Sequence, residues 1–435
     1  MAEARPLLVT LYLAVARLAA PLYRLVHLVR CRTGKDDPAR GNEKWGRSAI
    51  PRPKGPLVWI HAASVGETNS VLPLVETLCN RGFFVLLTTV TRTSAELAAA
   101  RLPGRALHQF VPFDSPGFVG SFLGHWKPDM AMTVESEIWP GIFVAIRERR
   151  IPFILINGRM SDRSFRGWSR SPEAAAYLFG CLDITLAQTP ADAGRLEKLG
   201  CRDVLCPGNL KFDARPKDAD PGQLDQLTKA AAGRPVWLAA LTHPGEDEIV
   251  LGAHRAILDK QPDCLLILVP RHPARGDAIE ALVETQGFFL ARRSRDELPE
   301  AGTQVYLGDT LGEMALFYRL APIAFVGGSY VDVGGHNPVE AASFGAAILS
   351  GPKVANARAI YKSLWEGGAA KRIEHPEKLA EAVLALLNGD GERKRLVARA
   401  AEIVESGRGA LKQTLEQLEP LIAEAVQTAG DGAGK

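Results

Sequence analysis

The sequence predicts an α/β protein made of two facing Rossmann-like domains, preceded by an amphipathic helix. Three observations carry this. From Pro56 onward, short apolar runs alternate with helical stretches, the pattern of parallel strands buried on both faces. The pattern halts near residue 212 and restarts at Pro235. Residues 1–54 hold 11 Lys/Arg against 4 Asp/Glu, beside the most apolar stretch of the chain, while the remainder holds 41 against 45. With 435 residues, 46% hydrophobic and 23% charged, the chain is long enough for two or three cores and is not of disordered composition.

The first element is "RPLLVTLYLAVARLAAPLYRLVHLVRCR". Its longest charge-free run, Pro6 to Ala16, is too short for a membrane span, which needs about 20 residues. Thr10, Arg17 and Arg24 are spaced by seven and share one face of a helix, with Leu, Val and Ala covering the rest. Such a helix suits an anionic membrane surface; packing on the protein's own body is the alternative. Basic residues spread over a folded surface, as nucleic-acid binding needs, are not seen. Six cysteines without a C-x-x-C pair are read as reduced thiols, with no structural zinc.

The strands of the first domain are expected in "PLVWIHA" (56–62), "FFVLLTTVT" (83–91), "HQFVPFD" (108–114), "MAMTVES" (130–136), "FILINGR" (153–159) and "ITLAQT" (184–189). Those of the second are expected in "PVWLAALTH" (235–243), "CLLILVPRHP" (264–273), "GFFLARR" (287–293), "QVYLGDT" (304–310), "PIAFVGGS" (322–329) and "AAILSGP" (346–352). "DARPKDADPG" (213–222), charged and Pro-rich, reads as a linker. The helical stretch 391–427 is expected to pack across both domains. The division is therefore 1–35 helix, 36–212 first domain, 213–222 linker, 223–400 second domain, 401–435 C-terminal helix and tail.

In such folds ligands sit at the carboxyl ends of strands, in the crevice between domains. The unusual residues stand there. After the first strand, Gly66 allows a tight turn and Glu67 lands at a helix start, either as a general base or to complement the helix dipole. Glu135 and Glu137, spaced by two, should point to opposite sides of an extended chain, either to meet a substrate hydroxyl or a cation or as a helix cap region with Pro140 in the first turn. Arg159, Arg163 and Arg166, with Phe165 and Trp168, suit an anionic, partly apolar partner or form a solvated loop. Lys211 precedes the linker. In the second domain, His243, Arg271 and His272 follow successive strands and suit a phosphate. Last comes "GGSYVDVGGHNPVEAASFG" (327–345). Gly327, Gly328 and Ser329 end a strand, leaving backbone N–H groups free for a nucleotide phosphate. Asn337, Pro338 and Glu340 read either as a helix start with a capping box or as a ribose contact. There is no G-x-G-x-x-G after the first strand and no G-K-[ST], so dehydrogenases and P-loop NTPases lack their signatures.

Together and in order, "HAASVGE", "ESEIWP", "GNLKFD", "PRHP", "GDTLGEM" and "GGSYVDVGGHNPVE" resemble the 3-deoxy-D-manno-octulosonic acid (Kdo) transferases of lipopolysaccharide assembly. The resemblance runs from the N-terminal helix to about residue 365. It implies a GT-B glycosyltransferase fold, CMP-Kdo as donor, a lipid A precursor as acceptor, and a place at the cytoplasmic face of the inner membrane. It makes Glu67 the general base. Arg271, His272, Gly327, Gly328, Ser329, Gly335, Asn337, Glu340 and Lys211 are implied on the donor side. Ser64, Gly66, Glu135, Glu137 and Arg159 are expected around the acceptor. No cofactor or metal is expected, since no Asp-x-Asp motif ends a strand. Pro244 and "PRHPARGD" depart from the family pattern on the phosphate side. The alternatives are a GT-B glycosyltransferase or epimerase using a UDP-sugar, and a membrane-bound nucleotide sensor without turnover.

Overall fold

The computed structural model describes residues 4–213 and 218–432. The chain forms two compact units, residues 1–214 with 407–435, and residues 215–406. Each is built on a seven-stranded, wholly parallel sheet.

In the first unit the strands are β1 (Leu57–His61), β2 (Phe84–Thr89), β3 (Ala106–Phe110), β4 (Met130–Val134), β5 (Phe153–Gly158), β6 (Ile184–Ala187) and β7 (Val204–Leu205). Their order is β3-β2-β1-β4-β5-β6-β7. Alternate side chains of β1 enter opposite cores: Leu57 and Trp59 join Phe122 and Trp126, whereas Val58 and Ile60 join Val71 and Leu74. The order reverses between β1 and β4, so the residues following these two strands become neighbours at the switch point.

The second unit comprises β8 (Val236–Thr242), β9 (Leu265–Pro270), β10 (Leu290–Arg292), β11 (Val305–Leu307), β12 (Ile323–Val326), β13 (Ala347–Ser350) and β14 (Ala370–Arg372), in the order β10-β11-β9-β8-β12-β13-β14. Here the switch point lies between β8 and β12. The edge strands β7 and β14 have no counterpart in the sequence reading. β7 is only two residues long, and two of the three residues of β14 are charged, so neither writes an apolar run.

The N-terminal segment is two helices, Leu7–Leu18 and Leu22–Arg32, bent by 71°, rather than one. Pro21 at the joint lacks an N–H and steers Ala20 away from helix. Arg17 and Arg24 therefore do not share one helical stripe. The first helix packs Val9, Leu13 and Ala16 inward, and the first two join the core that holds Phe122 and Phe143. Its other face stays apolar and open: Leu7, Leu11 and Leu18 are 84%, 57% and 80% exposed, followed by Leu22 and Leu25 on the second helix.

Of the expected linker, residues 214–217 lie outside the described residues. Its ends are anchored. Asp213 accepts the N–H groups of Gly409 and Leu411, and Asp220 caps the helix Pro221–Ala231. The expected C-terminal helical stretch is also two helices. Asp390–Ser406 belongs to the second unit; Ala410–Gly432 returns to the first, where Leu418, Ile422 and Ala425 cover Val58 and Ile60. The end of the tail, 433–435, lies outside the described residues.

Candidate functional site

At the switch point of the first unit, β1 ends at His61 and the helix Val65–Asn80 begins. Ser64 is its cap: its Oγ accepts the Glu67 N–H at 3.3 Å and donates to Glu67 Oε1 at 2.9 Å. Glu67 Oε2 accepts the Ala63 N–H at 2.8 Å. The carboxylate thus closes its own helix start, as one reading expected. It is also buried, 8% exposed, and its pKa is pushed up to about 8, first by loss of solvation and then by the charges of Glu135 and Glu137. A carboxyl raised this far is a stronger base than an ordinary Glu. The expectation for Gly66 is corrected. It lies within the first helical turn, where a Cβ would meet only Ser64 Oγ at 3.9 Å, so the turn does not require glycine.

Glu135 and Glu137 do not point apart from an extended strand. Glu135 has φ +57°, a left-handed conformation uncommon outside glycine, and Glu137 N–H turns back to Val134 O at 3.4 Å. Both carboxylates therefore stay near enough to Glu67 to oppose its ionisation. Glu135 is paired with Lys211, Nζ to Oε1 2.5 Å, in the interior of this unit. Three residues that sequence reasoning passed over hold Lys211 in place. Asn157 Oδ1 accepts the Leu210 N–H at 3.0 Å, and Asn209 Oδ1 accepts the Lys211 N–H at 3.0 Å. Gln188 ties these together, donating to Asn157 O and accepting from Asn209 Nδ2. The signal available was an Asn at a strand end, where left-handed φ (+52° for Asn157) is tolerated.

Glu137 accepts the Trp139 indole N–H at 2.8 Å, and burial raises its pKa. The helix Pro140–Glu148 follows, its first N–H groups (Gly141, Ile142) held by Asp114, which also accepts Tyr12 Oη–H at 2.8 Å. The N-terminal helix is thereby bonded to the helix that follows the acidic loop. His61 is a neutral core histidine: burial holds its pKa down to about 4, and Nδ1 meets Thr88. The arginine-aromatic reading of 159–168 is corrected in part. Phe165 and Trp168 pack on the core, Trp168 edge-on to Phe179, instead of facing a partner. The Arg159 N–H bonds to Glu135 O at 3.2 Å.

In the second unit the loops after β8 and β12 meet. The N–H groups after β12 are not free, and this is the main correction. Gly327 N–H continues the ladder to Ala240 O. Those of Gly328, Ser329 and Tyr330 converge on the Glu246 carboxylate at 2.6, 2.9 and 3.0 Å, joined by His243 N–H at 3.1 Å. Glu246 is completely buried. A nest of backbone N–H groups attracts an anion, and here the protein supplies its own. The glycines serve this packing: a Cβ on Gly327 would stand 2.8 Å from Leu241 O and 3.0 Å from Glu246 Oε2. Ser329 Oγ–H is likewise spent on the main chain, on Val326 O, while Oγ accepts the Gly351 N–H. Gly335, φ +72°, closes the loop by donating to Gly328 O at 2.7 Å.

The groups beside the nest remain suited to an anion. A bulge at Leu241 (φ +59°) re-aims the end of β8 and presents His243. Its Nε2 lies 2.9 Å from His336 Nε2, with the rings stacked, and His272 stands edge-on at 5.9 Å. Loss of solvation, then their own charges and Arg271, hold His243 at about 4 and His336 at about 3. The Arg271 guanidinium has no acceptor among the described residues, whereas Arg275 is taken by Asp247. His336 was missed in the sequence because its neighbour His243 is 93 residues away. Asn337 Oδ1 accepts the Val339 N–H at 3.1 Å, and the helix holding Glu340, Val339–Ser343, starts one residue later than expected.

A sequence model described as "3-Deoxy-D-manno-octulosonic-acid transferase (kdotransferase)" matches residues 39–214. The 3-deoxy-D-manno-octulosonic acid transferase of Haemophilus influenzae is 36% identical over 388 residues, 88% of this chain and 90% of that protein. The one from Bordetella pertussis is 35% identical over 391 residues, 88% and 91% respectively. Among solved structures, the S. aureus MnaA–UDP co-structure aligns with a TM-score of 0.59 at 16% identity, over 84% of this chain and 96% of that one, a likeness of fold alone.

Proposed function

The chain belongs to the 3-deoxy-D-manno-octulosonic acid transferase family and is a glycosyltransferase of GT-B fold, and from that premise we propose that it moves Kdo from CMP-Kdo to a lipid A precursor, with Glu67 as general base. The observation that carries the base assignment is the buried Glu67 at the β1/β4 switch point, its pKa raised to about 8 beside two further carboxylates.

The chemistry follows from the donor. Its reacting carbon is tertiary and bears a carboxylate, so loss of CMP passes through an oxocarbenium-like state. The acceptor hydroxyl loses its proton to Glu67 as it attacks from the opposite face, which inverts the centre. Ser64 Oγ–H and Ala63 N–H orient the Glu67 carboxylate toward that role. Arg271, with His243, His272 and His336 around it, offers cationic and N–H groups to the phosphate that departs with more negative charge than it arrived with. Asn337 and Glu340 stand at the following helix start, where a ribose would be read. Mass spectrometry of products from CMP-Kdo and a tetra-acylated lipid A precursor tests the reading. Kdo-bearing lipid and free CMP are expected; no product and no CMP release would reject it.

The same reading puts the protein at the cytoplasmic face of the inner membrane. Among the described residues no single helix is long and apolar enough to cross a membrane. The bent pair Leu7–Leu18 and Leu22–Arg32 instead offers an open leucine surface with Arg17 and Arg24 beside it, suited to lying in the headgroup region of anionic lipid. Replacing Leu11, Leu18, Leu22 and Leu25 together by Ser is expected to weaken co-sedimentation with phosphatidylglycerol vesicles by about a hundredfold or more. Unchanged sedimentation would place the contact elsewhere.

A further inference from the structure

We propose that Glu246 determines donor specificity: its carboxylate fills the anion nest after β12, so that the second unit accepts a donor with one phosphate and rejects one with two. The inference rests on the donor reading above and deepens it.

Three consecutive N–H groups, Gly328 to Tyr330, and a fourth from His243 converge on one point at the switch between β8 and β12. This is where an α/β sheet ordinarily receives a ligand. Four converging donors are what a second phosphate group of a nucleoside diphosphate would use. Glu246 takes all four with its two oxygens and is wholly buried. It cannot swing aside easily. It is the first residue of the helix Glu246–Leu258, its own N–H is bonded to His243 O, and Gly327 lies against Oε2 with no room for a Cβ. A second phosphate would therefore meet an occupied site and a like charge. What remains open is one cation of limited extent, the Arg271 guanidinium, beside the imidazoles of His272 and the His243–His336 pair, matched to a single phosphate.

The test is calorimetric titration of the full chain with CMP and with CDP, and the same for Glu246→Ala. Wild type is expected to prefer CMP by about tenfold or more, and Glu246→Ala to lose most of that preference as CDP reaches the vacated N–H groups. Inorganic phosphate should raise the melting temperature of Glu246→Ala by more than it raises that of wild type, since the variant offers the vacated N–H groups as a second site. If wild type binds CMP and CDP equally, the donor reading stands and this inference falls, whether or not the variant folds. A folded Glu246→Ala with the wild-type CMP preference also overturns it. If wild type binds neither nucleotide, the donor reading itself fails and takes the inference with it.

Discussion

Glu67→Gln is expected to lower Kdo transfer by about 10²- to 10⁴-fold while CMP binding is retained. Gln keeps the shape and can still accept from Ala63 and bond Ser64, so the helix start survives while the proton acceptor is lost. The pH profile separates this from a structural effect. Glu67 must be ionised to act, so wild-type kcat/KM should rise with pH and level off above about 8, the raised value of its carboxyl. Glu135→Gln removes one of the charges that raise it and should move that limb to lower pH. Stability should move the other way from activity. A carboxyl whose folded pKa lies above its ordinary 4.5 binds its proton more tightly in the folded chain. Its contribution is complete below 4.5 and is lost as pH rises through about 8. Glu67→Gln escapes that loss, and at pH 8 it should be more stable than wild type by a margin on the order of 1–3 kcal/mol, read from denaturant melts. A variant that is equally active, or one less stable at pH 8 than at pH 5 by the wild-type margin, would remove Glu67 from the role.

Lys211→Met is expected to destabilise the first unit by about 3–5 kcal/mol, because it leaves Glu135 buried without its counter-charge. The double variant Lys211→Met, Glu135→Gln should recover most of this, since two neutral groups no longer carry an unpaired charge. Lys211 was expected to contact the donor. The structure shows it paired with Glu135 within the first unit and held there through Asn209 and Asn157. If Lys211→Met melts like wild type and only CMP-Kdo binding suffers, the donor contact is its main role and the ion pair contributes little.

Most strands of both sheets were legible because they are buried on both faces, which writes an apolar run into the sequence even in the three residues of β11. Glu67 was legible because a carboxylate three residues after a Ser, just past such a run, can only stand near a helix start at the end of a strand. The break at Pro21 was written in the sequence too, yet a seven-residue spacing of Thr10, Arg17 and Arg24 outweighed it in the reading. The short strands β7 and β14 left no pattern to read.

The α/β class, the two sheets, the positions of the post-strand motifs and, through the resemblance of those motifs, the family are all written along the chain. Which groups meet is a property of the folded sheets. Glu246 and Gly328 are 82 residues apart, Glu135 and Lys211 are 76 apart, and His243 and His336 are 93 apart. Parallel strands need crossovers, and crossovers bring the ends of distant strands side by side at the switch points. The glycine loop at 327–335 therefore announced an anion nest from sequence alone, but that its anion is the carboxylate of Glu246 emerges only when β8 and β12 lie next to each other.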